Sequence, residues 1–331
     1  MSEAGVTVIE LIDDTAAKLE AAGLSLENGF GQGTLTAFDE AAWLVLWQLG
    51  LPLDDLDSVE NMAVAPEKRA QVATLLEARI STRQPLAYLT KEAWLQGVPF
   101  YVDERVIIPR SLIAELLVDE SIDPWLSEPS AATGCPEQAG APSGGSAAHE
   151  VASVGGQPFR VLDLCTGNGS LAVLAAMAWP DIVIDAADIS RDALAVARIN
   201  IDKHGLGSRI TLVESDGLAA CEGEKHGGYD LILCNPPYVN AATMASLPAE
   251  FKAEPAIALA GNMHGGIDGM DFIRGLFLTI ARHMSENAVL VLEIGNERAN
   301  FERAFPELEP LWFETSAGPD QVLLLTRQQL A

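Results

Sequence analysis

The chain has 331 residues, of which 49% are hydrophobic and 20% charged, and its formal net charge is −27. A chain of this length fits about two domains, and its apolar content is enough to build a buried core. The negative charge argues against a protein that grips nucleic acid through its phosphates, because that mode of binding needs a surface rich in Lys and Arg. The charge is compatible with a basic protein partner, whose approach it would accelerate.

Nothing in the sequence indicates a membrane, a secretory route or a metal. No apolar run approaches the roughly 20 residues that a membrane-spanning helix needs, and the N-terminus lacks the pattern of a secretory signal. The four cysteines, Cys135, Cys165, Cys221 and Cys234, form no C-x-x-C pair, and no histidines stand near them at zinc-ligand spacing. We therefore expect a cytoplasmic protein without a membrane contact, a disulfide framework or a metal site.

Residues 1–85 are predicted to form a small helical domain that recognises the substrate. Apolar residues recur at near-helical spacing in the first 20 positions. A second helix is expected from Ala37 to Leu49, because Thr36 precedes it and Asp39 follows Thr36 by three residues, as in a weaker capping box. A third helix is expected from about Pro66 to Ile80, since proline suits a first helical turn.

The next two segments differ in character. Residues 86–126 are rich in aromatic and β-branched residues, are interrupted at Gly97, and predict a linking β-hairpin followed by a connecting helix that starts at Ser111. Residues 127–158 form an insert in which 22 of 32 residues are Ala, Gly, Ser or Pro. Such a segment buries too little apolar area to offset its ordering entropy, so we expect a disordered loop.

Residues 159–331 alternate short apolar runs with helical patterns, which predicts an α/β domain with a parallel sheet. The predicted parallel strands are Arg160–Cys165, Ile182–Ile189, Ile210–Ser215, Tyr229–Cys234 and Val289–Ile294. Two later apolar segments, Leu311–Phe313 and Val322–Leu325, are expected to close the sheet as a hairpin. Ligands of such sheets bind at the carboxyl ends of the strands.

A glycine-rich turn at the end of the first of these strands predicts a nucleotide site. Its candidate binding residues are Asp163, Thr166, Gly167, Asn168 and Gly169. The two glycines permit a tight turn and a close approach of the backbone to a ligand. Asp188 follows Gly169 by 19 positions, where an acidic group can accept hydrogen bonds from ribose hydroxyls.

Two cofactors fit the glycine turn, a nicotinamide dinucleotide and S-adenosylmethionine. The position of Asp163 favours S-adenosylmethionine, because a carboxylate there can meet a cationic amino-acid group, whereas it would repel the pyrophosphate of a dinucleotide. Asp216, after the third strand, is placed to receive an adenine amino group. Asn235 is expected to border the same cofactor site.

The tetrapeptide Asn235-Pro236-Pro237-Tyr238 follows the fourth strand and is the most specific motif of the chain. A planar nitrogen is a poor nucleophile, because its lone pair is delocalised. If the Asn235 side-chain carbonyl and the Pro236 backbone carbonyl accept both N–H bonds, the lone pair is directed toward a methyl donor. The prolines make the backbone rigid, and Tyr238 offers a flat face to a planar group.

In this order, the glycine turn, the acid after the second strand and the NPPY motif resemble class I S-adenosylmethionine methyltransferases that act on planar nitrogens. Residues 84–111, QPLAYLTKEAWLQGVPFYVDERVIIPRS, resemble the HemK-like glutamine methyltransferases, and within them the PrmB-type branch. That resemblance implies a Rossmann-like fold and methyl transfer to a glutamine amide in the third protein of the large ribosomal subunit. The chain departs from the pattern at Leu112, in the long insert and in Asn168 and Ser170 of the turn.

Other interpretations of the same residues stay open. The release-factor branch of the family would methylate a glutamine in a different protein. An adenine-specific nucleic-acid methyltransferase would use the same tetrapeptide on a flipped base, although the charge argues against it. A dinucleotide oxidoreductase and a non-catalytic assembly factor are further alternatives, and the latter would predict loss of the motifs.

Overall fold

The computed structural model describes residues 5–26, 29–126 and 158–331. The disordered loop predicted for residues 127–158 therefore lies outside the described residues, apart from Pro158. The chain divides into two compact units. Unit 1 contains Met1–Arg110 and Ala245–Ala256, and unit 2 contains Ser111–Met244 and Ile257–Ala331. In the described residues, no helix is both long and apolar enough to cross a membrane.

Unit 1 is mainly helical. Its elements are α1 (Val8–Ala21), α2 (Ala37–Leu49), α3 (Leu56–Val59), α4 (Pro66–Thr82), α5 (Leu86–Thr90), the hairpin β1 (Glu92–Leu95) and β2 (Val98–Tyr101), and the later helix α10 (Ala249–Lys252). The second predicted helix is confirmed with its bounds. Thr36 and Asp39 form a full capping box, in which the backbone N–H of each donates to the other's side chain at 3.1 Å.

The segment expected to be a hairpin from residue 86 starts as a helix instead. Helix α5 occupies Leu86–Thr90, and the Thr90 hydroxyl donates to the Leu86 carbonyl oxygen at 3.1 Å. Lys91 then ends the helix in the left-handed region at φ 56°. The antiparallel hairpin is confined to residues 92–101. The hairpin predicted from the β-branched and aromatic composition was therefore too long.

The buried guanidinium of Arg79 holds residues 245–256 in unit 1. Arg79 of α4 is fully buried, and its guanidinium donates to Glu40 at 2.8 Å, to Glu250 at 3.1 Å and to the Gly29 carbonyl oxygen at 2.8 Å. Arg83 forms a second ion pair with Glu250 at 2.6 Å. A buried charge is tolerated only when it is paired and hydrogen-bonded, so this network fixes where the late segment packs.

Glu254 is the second buried carboxylate that holds residues 245–256 in unit 1. It accepts both arms of the Arg110 guanidinium, at 2.6 and 2.8 Å, and the Ile108 backbone N–H at 3.0 Å. The Arg110 guanidinium also lies over the Phe251 ring, 5.2 Å from its centroid. Two buried carboxylates of one short segment thus satisfy three arginines of the N-terminal part of the chain.

Unit 2 is built on a seven-stranded sheet. Its strands are β3 (Arg160–Leu164), β4 (Val183–Asp188), β5 (Ile210–Glu214), β6 (Tyr229–Cys234), β7 (Met284–Glu293), β8 (Leu311–Thr315) and β9 (Gly318–Thr326). Its helices are α6 (Ile113–Val118), α7 (Ser170–Ala178), α8 (Arg191–Lys203), α9 (Ala241–Ser246, which ends just inside unit 1), α11 (Asp271–Phe277), α12 (Arg298–Ala304) and α13 (Arg327–Leu330).

The strand order is β5-β4-β3-β6-β7-β9-β8. Strands β3 to β7 are parallel, and β9 lies antiparallel between β7 and β8. The predicted parallel sheet and the predicted closing hairpin are therefore confirmed. This hairpin distinguishes the sheet from the six-stranded parallel order of a dinucleotide-binding fold. The order in which strands join the sheet reverses between β3 and β6, and ligands of such sheets bind at that switch point.

The units do not follow the boundaries expected from the sequence. Residues 86–110 group with the N-terminal helices, whereas 111–126 group with the sheet. The difference has a physical cause in each case. Leu86 of α5 is buried in the same apolar cluster as residues of α1, α2 and α4, which joins this region to unit 1. Ser111 donates to Glu293 at 2.5 Å at the end of β7, which ties the start of α6 to unit 2.

Candidate active site

The glycine turn lies between β3 and α7, at the switch point of the sheet. Cys165, Gly167 and Gly169 all have left-handed backbones, with φ of 62°, 55° and 81°. A Cβ on Gly169 would lie 3.1 Å from the Ala197 Cβ of α8, so a side chain there would press against that helix. A Cβ on Gly167 would meet nothing within 4 Å. Gly169 thus allows α8 to pack closely against the turn, whereas Gly167 leaves open space above the turn.

Asp163 lies beneath this turn and is fully buried. Its Oδ2 accepts the Thr166 hydroxyl at 2.5 Å and the Ala172 backbone N–H at 3.0 Å. Its Oδ1 is buried without a hydrogen-bond partner among the described residues. Burial raises the pKa of this carboxyl to about 7, against the lowering effect of the hydrogen bonds from Thr166 and Ala172. A cationic group near Oδ1 would stabilise the ionised form.

Thr166 and Asn168 shape the turn itself. The Thr166 backbone N–H donates to the Ala187 carbonyl oxygen at 3.0 Å, which joins the turn to the end of β4. Asn168 accepts from the Ser170 N–H through its side chain at 3.1 Å and from the Asn200 side chain through its backbone oxygen at 2.9 Å. Within the described part of the chain, the buried Asn168 Nδ2 donates to nothing.

Asp188 ends β4 and joins that strand end to the turn. Its Oδ2 accepts the Gly167 backbone N–H at 2.9 Å, and its Oδ1 accepts the Ser190 N–H at 2.9 Å. Burial is the main cause of its raised pKa, and the backbone N–H groups oppose it. Each carboxylate oxygen keeps a second lone pair for an incoming hydroxyl.

A cavity of about 840 Å³ begins at Ile189, the residue after Asp188, and Asp216 is exposed at its wall, whereas Asp163, Asp188 and the glycine turn do not line it. Ile189 and Leu218 line the same cavity and offer apolar surface to a planar ring. Neither residue belongs to a motif recognised in the sequence. The signal that could have found Ile189 is its place directly after Asp188, the acid at the end of β4, whereas nothing in the sequence marks Leu218.

The NPPY motif leaves the carboxyl end of β6, the strand beside β3. Pro236 and Pro237 are buried, whereas Asn235 and Tyr238 are partly exposed. Among the described residues, none hydrogen-bonds the Asn235 side chain. An amide with such rigid neighbours and no internal partner is available to an external group.

Glu293 and Gly295, at the end of β7, determine where Tyr238 lies. The Tyr238 hydroxyl donates to Glu293 Oε1 at 3.4 Å. A Cβ on Gly295 would stand 2.6 Å from the Tyr238 ring, so only glycine permits this approach. Glu293 is buried, and its Oε2 accepts from the Ser111 hydroxyl and from the Leu112 N–H at 2.9 Å. Sequence reasoning missed both residues, because nothing in the pattern of β7 marks them.

The backbone of residues 259–269 packs against the segment after Tyr238. The Val239 N–H donates to the Leu259 carbonyl oxygen at 2.8 Å, and the Asn262 side chain donates to the Val239 carbonyl oxygen at 3.2 Å. A Cβ on Gly269 would lie 2.1 Å from the Tyr238 carbonyl oxygen. The backbone that follows the motif is therefore closely supported.

The structure thus brings every predicted site residue to the carboxyl edge of β3, β4, β5 and β6. The sheet order, with these residues at the carboxyl ends of its strands, is that of a class I methyltransferase that uses S-adenosylmethionine. A family model described as "Methyltransferase small domain" matches residues 152–261, which contain both the glycine turn and the NPPY motif.

Curated relatives match nearly the whole chain. A ribosomal protein uL3 glutamine methyltransferase of Bordetella pertussis is 45% identical over 98% of this chain and 96% of its own length. Proteins of the same name from Burkholderia pseudomallei and Neisseria meningitidis are 44% and 40% identical over 98% of this chain, and over 95% and 94% of their own lengths. The chain belongs to the family of ribosomal protein uL3 glutamine methyltransferases, and the resemblance inferred from residues 84–111 is confirmed.

Proposed function

We propose that the protein transfers a methyl group from S-adenosylmethionine to the side-chain amide nitrogen of a glutamine in the large-subunit ribosomal protein uL3. The observation that carries this proposal is the Asn235 side chain, which lies at the switch point on a rigid proline-rich turn. Among the described residues it has no hydrogen-bond partner. The identity of 45% over 98% of the chain with a relative of that name supports the choice of substrate.

The residues around the glycine turn fit S-adenosylmethionine. We assign Asp163 to its cationic amino-acid end, since the buried Oδ1 has no partner among the described residues and a cation would favour the carboxylate. Asp188 would accept the ribose hydroxyls through its remaining lone pairs, and Asp216 the adenine amino group at the cavity wall. When bound, this cofactor supplies a methyl group activated on a sulfonium.

Asn235 and Pro236 then prepare the substrate amide. The side-chain carbonyl of Asn235 and the backbone carbonyl of Pro236 would accept its two N–H bonds and fix the orientation of its nitrogen. Preorganised acceptors of this kind cost no reorganisation during the reaction. The amide loses a very acidic proton after methyl transfer, so the site does not need a strong general base. The ring of Tyr238, held by Gly295 and Glu293, offers a flat surface to the amide plane.

The charge of the chain supports a basic partner. A net charge of −27 would attract a basic ribosomal protein and repel the phosphates of nucleic acid. Long-range attraction of this type weakens as salt screens it. We therefore expect kcat/KM for uL3 to fall as ionic strength rises.

The direct experiment uses the purified protein, S-adenosylmethionine with an isotopically labelled methyl group, and unmethylated uL3. Tandem mass spectrometry should place the label on a glutamine side chain. Peptide chain release factors and an adenine-containing oligonucleotide serve as parallel substrates. Faster labelling of a release factor would reject the choice of uL3 but keep the amide chemistry, whereas labelling of the oligonucleotide alone would reject both.

A further inference from the structure

A second cavity, of about 300 Å³, lies in unit 1 and is lined by residues of that unit. The indole rings of Trp43 in α2 and Trp94 in β1 contribute to its wall, together with the apolar Leu53 and the polar Gln32 and Asp39. None of these residues has a part in the site described above. We call this cavity the tryptophan pocket.

Two side chains of the tryptophan pocket carry unsatisfied polar atoms. Gln32 is only 6% exposed, and its Nε2 donates to the Glu250 carbonyl oxygen at 3.2 Å. Neither its Oε1 nor the Trp43 Nε1 has a hydrogen-bond partner in the part of the chain that the structure describes. Buried polar atoms are almost always paired in folded proteins. Because both residues line the pocket, a ligand seated there can pair with this acceptor and this donor once the two side chains turn toward it.

Large apolar side chains are exposed at the pocket lining and at positions next to it in sequence. Leu35 and Phe38, next to the lining residues Thr34 and Asp39, are 64% and 40% exposed, and Trp94 is 43% exposed. Scattered exposed apolar residues are normal, but exposed apolar side chains at and next in sequence to pocket-lining positions favour an interaction surface. Tryptophan is enriched among the residues that contribute most to binding at such surfaces.

The negative charge of unit 1 indicates a basic partner. Residues 1–110 and 245–256 carry 19 Asp and Glu against 9 Lys and Arg. Asp39 adds an exposed carboxylate at the pocket itself. An arginine fits these features best, because its planar guanidinium stacks on indole rings, donates to amide and carboxylate oxygens, and stays charged.

We propose that the tryptophan pocket docks a basic segment of the substrate protein by accepting one of its arginine side chains. The guanidinium lies against Trp43 and Trp94 and donates to Gln32 Oε1 and Asp39, while a main-chain carbonyl of the same segment accepts from Trp43 Nε1. This docking site holds the body of the substrate and takes no part in methyl transfer. It rests on the proposed function only in naming uL3 as the partner.

The first test compares KM with kcat. Trp43→Phe keeps a ring but removes the N–H donor, and loss of one such hydrogen bond should raise KM for uL3 about 3- to 10-fold. Trp94→Ala removes a stacking surface and should raise KM about 10-fold. In both variants kcat and the affinity for S-adenosylmethionine should stay unchanged. Trp47→Phe is the matched control, because it changes the same helix at a residue that does not line the pocket.

Calorimetry of uL3 binding separates this inference from the proposed function. If uL3 is methylated but all pocket variants keep the wild-type KM and Kd, the docking site is rejected and the function stands. If uL3 binds more weakly to the variants yet is never methylated, the function is rejected and the docking site stands. The melting temperature of each variant verifies that it is folded.

A second test measures binding in the wild-type protein. The indole N–H signal of Trp43, assigned by its absence from the spectrum of Trp43→Phe, is followed in the full-length protein by nuclear magnetic resonance. Titration with N-acetyl-arginine methylamide should shift it, and titration with the norleucine analogue should not. An equal response to both compounds would assign the pocket to an apolar side chain and overturn the inference, as would no response to either.

Discussion

Tyr238 of the NPPY motif donates its hydroxyl to Glu293, whose second carboxylate oxygen is already bound by Ser111 and by the Leu112 N–H. The tyrosine of one strand end is thus positioned by a buried acid at the end of the neighbouring strand. Because Glu293 is itself fixed by the start of α6, the tyrosine has little freedom to move. The ring that faces the substrate amide in our proposal is therefore set by residues outside the motif.

Gly295→Ala tests whether this placement matters. The added methyl would stand 2.6 Å from the Tyr238 ring and must displace it. A displacement of about 1 Å near a reacting group can cost about 10²-fold in rate, so we expect a fall of that order in kcat. Affinity for S-adenosylmethionine, measured by calorimetry, should remain close to that of the wild type.

Gly205→Ala is the matched control for backbone strain. Gly205 has a comparable left-handed φ of 68°, but its Cβ would meet nothing within 4 Å. If both variants lose activity equally, strain alone explains the loss and the contact with Tyr238 has no part in it.

Asn235→Ala should abolish most methyl transfer and leave cofactor binding nearly unchanged. In our proposal the Asn235 side chain contacts the substrate amide, and the loss of one preorganised acceptor costs about 10²–10³-fold in rate. Single-turnover kinetics with saturating uL3 measure this effect. A rate within a few-fold of the wild type would remove Asn235 from the reaction.

Asp163 predicts a pH dependence of stability in the protein without cofactor. Its pKa is raised from an ordinary value of 3.8 to about 7, so the folded state holds this proton more tightly than the unfolded chain does. The associated stability is complete below the ordinary value and is lost as the pH rises through about 7. Asp163→Asn keeps the acceptor for Thr166 and should show a flatter decline in the free energy of unfolding, measured by chemical denaturation. Identical pH profiles would contradict this account of Asp163.

The same carboxyl should make cofactor binding pH-dependent. If Asp163 meets the cationic end of S-adenosylmethionine, affinity should rise as the pH passes upward through about 7, because the ionised form becomes available. In Asp163→Asn this rise should be absent. A rise of equal size in both proteins would assign it to another group.

Glu250→Gln should destabilise unit 1. It removes a charged partner from Arg79, which is fully buried, and breaking such a pair typically costs about 3–5 kcal/mol. The exposed pair of Asp14 and Lys18 provides the control, since Asp14→Asn should cost no more than about 0.5 kcal/mol. Denaturant unfolding of both variants measures the difference, and equal stabilities would show that the network contributes little.

Much of the fold could be predicted because local signals agree with the final packing. Helix α2 has the bounds predicted for it: Thr36 and Asp39 mark its start in the sequence, and in the structure Gly50 ends it at φ 69°. The buried strands read as continuous apolar runs, which is how a parallel sheet covered on both faces appears in sequence. The predicted site residues also lie at one edge of the sheet, because they directly follow strand ends.

The features that the sequence could not predict depend on contacts between residues that are far apart in the chain. Glu250 and Glu254 look like ordinary surface acids of a short helical segment, and only folding brings them to Arg79 and Arg110. Glu293 likewise stands at the end of an apolar strand without any local mark of its link to Tyr238. Pairs separated by more than 50 residues leave no periodicity that a single sequence could reveal.

The most direct test of the central claim is tandem mass spectrometry of unmethylated uL3 after incubation with the protein and labelled S-adenosylmethionine, beside a parallel reaction with Asn235→Ala. We expect one labelled methyl group on a glutamine side-chain nitrogen with the wild type, and little or none with the variant. A uL3 that stays unlabelled, or a label on any other residue type, would contradict the account.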